Sequence, residues 1–149
     1  MTPLVLTAMS AVNCLGRGVD ATYDALYAAR SGLAACSFAP VATYTGMVAG
    51  VEDAPISGAL AEYDCRNHRL AQLALHVDGF ADRVAAARER YGAGRIATVI
   101  GTSTSGILET EYAYQHRDPA SGRLPPTFRY RTTHDLYSTA DFVRRARHE

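Results

Sequence analysis

Apolar residues recur along this chain in two rhythms. Between Asn67 and Tyr91, the positions Leu70, Leu73, Val77, Phe80, Val84, Ala87 and Tyr91 advance by alternating steps of three and four. That spacing puts them on one stripe and predicts a long helix over residues 67–91, with Gly92 and Gly94 ending it. Arg69, Asp78, Asp82, Arg83, Glu89 and Arg90 fall mostly off the stripe and can remain solvated. The other rhythm is continuous. Leu4-Val5-Leu6-Thr7-Ala8-Met9 and Arg95-Ile96-Ala97-Thr98-Val99-Ile100 are short apolar runs. They predict strands buried on both faces, as in a parallel or mixed sheet.

Turn chemistry places the remaining elements. Asn13, Gly16 and Gly18 follow the first run, and Asp20 is positioned to cap a helix over residues 21–30 that stops at Gly32. Residues 41–51 alternate loosely and predict one bent strand or a hairpin around Gly46. Residues 52–58, with Asp53, Pro55 and Gly58, read as loop. After the second strand comes Gly101-Thr102-Ser103-Thr104-Ser105-Gly106, then a short helix over 107–113. Residues 114–131 hold Pro119, Gly122, Pro125 and Pro126 and form a long connection, a length usually tied to function or an interface. A last helix is expected from Thr133 or Asp135, with Leu136, Ala140 and Val143 on one face. Helix, strand, glycine-bearing turn and helix in succession predict an α/β fold.

Composition narrows the function classes. Hydrophobic residues make up 48% of the 149 positions and charged residues 20%, as in soluble globular proteins. The 15 basic and 15 acidic residues cancel, which argues against a global positive field for nucleic acid. Every basic residue is arginine, so a Schiff-base lysine, a lysine general base and a P-loop lysine are excluded within this chain. No apolar run is long enough to span a bilayer, and no positive cluster precedes residues 4–6, so the expected compartment is the cytoplasm.

The strongest chemical candidate is the 101–106 turn, where backbone can approach a ligand or another segment. A phosphate loop needs lysine and a hydroxyl after the second glycine, but Ile107 and Leu108 stand there. A nucleophile elbow centred on Ser103 would have Ser105 where its second glycine belongs, with Asp118, Asp135, His116, His134 and His148 available as partners. The third reading is structural: small residues let the next helix and neighbouring segments pack closely.

Other groups carry weaker signals. Cys14, Cys36 and Cys65 are spaced irregularly and read as free thiols. Cys65 and His68 have the spacing of half a zinc site, without a second pair to complete it. His76 reads as a partly buried packing residue. Glu109 and Glu111 favour the dipole of their helix. Arg129 and Arg131, interleaved with Phe128 and Tyr130, offer an anion-binding edge or a subunit-facing one.

Taken together, these segments resemble the amino-terminal part of the β-ketoacyl-acyl carrier protein synthases, the condensing enzymes of fatty acid and polyketide synthesis. Val5-Leu6-Thr7-Ala8-Met9-Ser10-Ala11-Val12-Asn13-Cys14-Leu15-Gly16 is similar to the family's first strand and turn, with Ala8 and Ser10 where glycine is common. Residues 23–26 and Ala29-Arg30-Ser31-Gly32-Leu33 resemble its first helix and exit. Residues 64–75 resemble the opening of its long helix, and Val99-Ile100-Gly101-Thr102-Ser103-Thr104-Ser105-Gly106-Ile107 is the most specific match.

The resemblance implies an incomplete portion of a thiolase-like αβαβα layered fold, with residues 1–149 forming a partial synthase domain. It implies acyl carrier protein and acyl or malonyl thioesters as partners, and a homodimer or pairing with a complete synthase. No cofactor, metal, nucleic acid or membrane is implied. The family's nucleophilic cysteine and its two histidines would lie beyond residue 149, so no catalytic residue is assigned and none of the three cysteines inherits that role.

Overall fold

A computed structural model describes residues 3–146. It shows a mixed, mostly helical chain with two small antiparallel ribbons. The first ribbon pairs β1 (Val12–Asn13) with β2 (Gly16–Arg17) and leads into α1 (Val19–Tyr27). Asn13 Nδ2 donates to Thr22 Oγ1 at 3.1 Å, tying ribbon to helix. Gly16 permits this approach, because a Cβ there would lie 2.9 Å from the Ala21 Cβ. The helix ends earlier than Gly32 predicts, at Ala28, with Ala29 in the left-handed region at φ 51°.

The second ribbon pairs β3 (Ala34–Ala35) with β4 (Tyr44–Thr45). The predicted 41–51 strand is therefore two residues long, and its partner lies before it. A 3₁₀ helix, Gly58–Tyr63, follows within what the sequence suggested was loop and helix approach. The long helix forms as two, α2 (Arg66–Leu75) and α3 (Phe80–Tyr91). Asp78 at φ 58° and Gly79 at φ 63° break it, since consecutive left-handed residues cannot continue a right-handed helix. The predicted stripe is not the packing face: on α3 its Phe80, Val84 and Ala87 are only half-buried and Tyr91 is exposed, while α2 meets the core through His68, Ala71 and Leu75.

Residues 4–9 and 96–100 depart furthest from expectation. Neither run joins a ladder among the described residues, and Leu4, Val5 and Val99 are 101%, 79% and 90% exposed. A strand is stabilised by neighbours that satisfy its backbone and cover its faces. Neither run pairs with a neighbouring strand among the described residues, which show no layered thiolase-type sheet. One side of 96–100 is half-covered, at Ile96 and Thr98, beside Phe80, Val84 and Val143.

The chain then forms α4 (Ile107–Gln115), a π-helical turn at Tyr130–His134 and α5 (Ser138–Ala146). The core sits where α5 meets α2 and the 3₁₀ helix: Ile56, Leu60, Tyr63, Phe142 and Val143, flanked by Ala71, Leu75 and Ala146. On α5, Val143 is buried as predicted, Ala140 only half so, and Leu136 is 59% exposed. Phe142, Ser138 and Thr139 take the inner face instead. Among the described residues, no helix is long and apolar enough to cross a membrane.

Candidate functional site

The 101–106 turn divides into an open half and a packed half. A Cβ at Gly101 would meet nothing within 4 Å, and Ser103 is exposed. A Cβ at Gly106 would sit 2.3 Å from the Thr133 carbonyl oxygen, inside any permissible contact. Ser105 is 3% exposed and donates its hydroxyl hydrogen to that same oxygen at 2.9 Å. One carbonyl of the π-helical turn thus accounts for both small residues. This geometry matches the structural reading of the motif.

Ser105 opens a buried polar cluster. Its Oγ lies 2.9 Å from Ser138 Oγ and 3.5 Å from Thr139 Oγ1. His68 Nε2 lies 3.1 Å from Thr139 Oγ1 and 3.3 Å from Ser138 Oγ, while Nδ1 reaches the Tyr63 carbonyl at 2.8 Å. Asn67 Nδ2 adds a bond to Thr139 Oγ1 at 3.1 Å. The imidazole is fully buried and stacks on Phe142 with centroids 5.1 Å apart. Burial, above all, pushes the His68 pKa down, opposed by the Tyr63 carbonyl and the nearby Asp64 charge. A serine hydroxyl next to an imidazole invites a hydrolase reading, but the Ser105 hydrogen is spent on a carbonyl and the ring has no path to a substrate. The cluster joins α2, the turn before α4, the π-helical turn and α5.

Sequence reasoning missed this cluster, because Ser138 and Thr139 carry no hydropathy signal. Their position one helical turn from Phe142 and Val143 is the trace they left. In the Cys65–His68 pair both ring nitrogens of His68 are hydrogen-bonded elsewhere, Nδ1 to the Tyr63 carbonyl and Nε2 to Thr139. Cys65 sits at the N-cap of α2, a place that lowers thiol pKa values. Burial outweighs this and raises Cys65 to about 11, so its thiolate is not attained near neutral pH. Among the described residues, no group of three or more His, Cys, Asp or Glu could hold a metal ion.

The other histidines do not converge on Ser103. His116 Nδ1 bonds the Tyr112 carbonyl of its own helix at 2.8 Å, and His134 Nδ1 bonds Thr110 Oγ1 at 2.6 Å. His76 is exposed at the C-cap of α2, not packed as expected. His148 lies outside the described residues. Asp118 closes its own loop, accepting from the Ala120 amide and from the amide and hydroxyl of Ser121, and Asp135 accepts from the Tyr137 amide.

Two acidic groups brace α2. Asp64 grips Arg69 through two bonds of 2.6 and 2.7 Å and accepts from the Ile56 amide, and the arginine holds its carboxyl below the usual range. Glu109 Oε1 lies 3.5 Å from the Arg66 amide, so this acid faces the N-terminus of α2, the positive end of the helix dipole. Glu111 is exposed. An open groove of about 600 Å³ runs beside Glu62, Asp64, Glu109, Tyr112, Phe128 and Arg129. Three acids and Arg129 line it, so it presents no uniformly positive surface for an anion. Arg129, Tyr130 and Arg131 are exposed.

Comparison with family models, with curated proteins and with solved structures finds no match to this chain.

Proposed function

We propose that this chain is the amino-terminal scaffold of a β-ketoacyl synthase-type condensing enzyme, and that it does not catalyse condensation alone. The parent reaction is a decarboxylative Claisen condensation: a cysteine takes an acyl group, malonyl-acyl carrier protein loses carbon dioxide, and the resulting carbanion attacks the thioester. The observation that carries this reading is the state of residues 4–9 and 96–100. Two apolar runs with strand composition stand unladdered, with Leu4, Val5, Leu6 and Val99 exposed, as the inner strands of a larger thiolase-type sheet would without their neighbours. The buried Cys65, and the bonding of His116 and His134 to partners other than Ser103, agree with a scaffold role.

The test is turnover. The 149-residue chain is assayed with acyl- and malonyl-carrier substrates, alone and with a polypeptide carrying a family nucleophile segment and second half. Product is expected only from the combination. Robust condensation by the chain alone overturns the proposal.

A second reading is a non-catalytic subunit that pairs with a complete synthase through residues 101–131. Exposure of Tyr112, Tyr114 and Tyr130 along that region favours it, since aromatic residues are enriched in interfaces. Co-purification with an intact synthase supports it, and loss of pairing on substituting Tyr112 and Tyr130 locates the contact.

A further inference from the structure

We propose that His68 is a proton-operated latch that fastens α5 and the Ser105 turn to α2, and that protonation of its Nε2 releases α5.

Hydrogen counting fixes the tautomer of His68. Nδ1 of His68 faces a carbonyl, the Tyr63 oxygen at 2.8 Å, which can only accept. Nδ1 therefore carries the ring hydrogen, and Nε2 presents a lone pair. Ser105 spends its one hydroxyl hydrogen on the Thr133 carbonyl, so it accepts from Ser138 at 2.9 Å. Thr139 accepts from Asn67 and is left to donate to His68 Nε2 at 3.1 Å. The Ser138 and Thr139 hydrogens each go to the nearer acceptor, the longer contacts being Thr139 to Ser105 at 3.5 Å and Ser138 to His68 Nε2 at 3.3 Å.

A proton taken from solvent onto Nε2 reverses that nitrogen from acceptor to donor. It then confronts the Thr139 hydrogen at 3.1 Å, and the oxygen left to accept from it is the more distant Ser138 Oγ at 3.3 Å. The new charge lies in a fully buried ring against Phe142. A buried charge without an ion-pair partner is costly, and the Asp64 carboxylate offsets it only in part. Asp64, at the end of the 3₁₀ helix, has both oxygens on Arg69 and one also on the Ile56 amide. Asp141 on α5 binds the Tyr63 hydroxyl, Arg144 and Arg145. Glu109 on α4 turns Oε1 to the Arg66 amide and buries Oε2 without a hydrogen-bond partner, and Cys65 on α2 is a neutral thiol below its pKa of about 11. Relief comes from opening the contact between α2 and α5, which hydrates the imidazolium.

The sign follows from burial. The folded-state pKa of His68 lies below the ordinary 6.5. Its contribution to the α2–α5 contact is complete above 6.5 and declines as pH falls from there through the lower folded value.

Nuclear magnetic resonance of the full chain, following histidine ring nitrogens and backbone amide exchange corrected for intrinsic pH dependence, tests the latch. At pH above 7 the Nδ1–H tautomer is expected at His68. On acidification, His68 protonation and loss of protection in α5 should share one midpoint, below 6.5, while α1 amides stay protected. His116→Gln should leave that midpoint in place. His68→Gln, which cannot charge, should abolish the step. Thr139→Val removes the donor to neutral Nε2 and should raise the midpoint by about one unit, so it decides the matter if His68→Gln fails to fold. An Nε2–H tautomer at neutral pH, titration of His68 with α5 still protected, or an unmoved midpoint in Thr139→Val would each overturn the proposal.

Discussion

The carboxylate of Asp78 accepts hydrogen bonds from the backbone amide of Val19, at 3.0 Å through Oδ1 and 3.1 Å through Oδ2. Val19 is the first residue of α1, and its N-cap, Gly18, has no side chain to offer. The amide that a helix leaves without an internal partner is satisfied from the break between α2 and α3, far along the chain. The same carboxylate accepts from the Ala11 amide at 3.1 Å, so one side chain fixes the entry to both the first ribbon and α1.

Removing that acceptor should loosen the amino-terminal unit. Asp78→Gly keeps the left-handed backbone comfortable while deleting the carboxylate, and is expected to cost about 1 kcal/mol. Asp78→Ala loses the same bonds and keeps a Cβ at φ 58°, so it should cost about 1 kcal/mol more than glycine. Urea unfolding of the two variants, followed by circular dichroism, reads the order directly. Equal midpoints for both variants and the parent would show that the carboxylate caps nothing.

The Asp78 contact also marks where pattern reading works and where it stops. The stripe from Leu70 to Tyr91 marks a helical stretch but not the face that packs: the core contacts of α2 come from His68, Ala71 and Leu75, and α3 buries none of its residues fully. Periodicity is also blind to the break at Asp78-Gly79, where both residues take left-handed backbone. Asp20 is a good capping residue by type, yet it sits inside the first turn of α1, and the acceptor arrives from a distant segment. The cluster of His68, Ser105, Ser138 and Thr139 was equally hidden, since each member is polar and becomes core only through its partners. The runs at 4–9 and 96–100 illustrate the reverse case: their composition suits a strand, but a ladder depends on neighbours that no local pattern supplies.

The two glycines of the 101–106 turn should respond oppositely to alanine. At Gly106 the added Cβ would lie 2.3 Å from the Thr133 oxygen and 2.8 Å from its carbon, both backbone atoms that cannot simply swing aside. Overpacking of this kind costs roughly 1–3 kcal/mol. Gly101→Ala meets open space and should be near neutral. Ser105→Ala, which strands the Thr133 carbonyl and a Ser138 hydrogen, should also cost about 1–3 kcal/mol, whereas Ser103→Ala should not. Thermal midpoints of the four variants check the pattern. A large loss at Gly101 or Ser103 would speak against the packed and open halves described for this turn.

Tyr63 and Asp141 set stability limits at both ends of the pH scale. The Tyr63 hydroxyl donates to the Asp141 carboxylate, and with Arg144 and Arg145 it lowers Asp141 from 3.8 to about 2. A depressed acid contributes stability that is present above 3.8 and disappears as pH falls towards about 2. Burial, and then the bond to Asp141, raises Tyr63 from 10.0 to about 12. Its contribution is complete below 10.0 and declines as pH climbs to about 12. Tyr63→Phe should flatten the alkaline limb and shrink the acid one, leaving the part due to the arginines. Denaturant midpoints measured across pH in parent and variant make the comparison, and an unchanged alkaline limb would refute the link.

The exposed runs make a prediction about association. Leu4, Val5 and Leu6 are 101%, 79% and 75% exposed, and Val99 is 90% exposed, so apolar side chains and unpaired backbone stand in water together. Each square ångström of apolar surface withdrawn from water is worth about 25 cal/mol, and an unpaired extended run also offers backbone donors and acceptors to another chain. The chain should therefore self-associate with rising concentration in sedimentation velocity. Replacing Val5 and Val99 together by lysine removes two of the apolar contributors and sets like charges on the same surface. Neither residue belongs to the core of Ile56, Leu60, Tyr63, Phe142 and Val143, so helical content should persist while association weakens at least about tenfold, a change of about 1.4 kcal/mol. A parent chain that stays monomeric across the concentration range would mean that these runs find cover within their own molecule, and would remove the observation on which the scaffold reading rests.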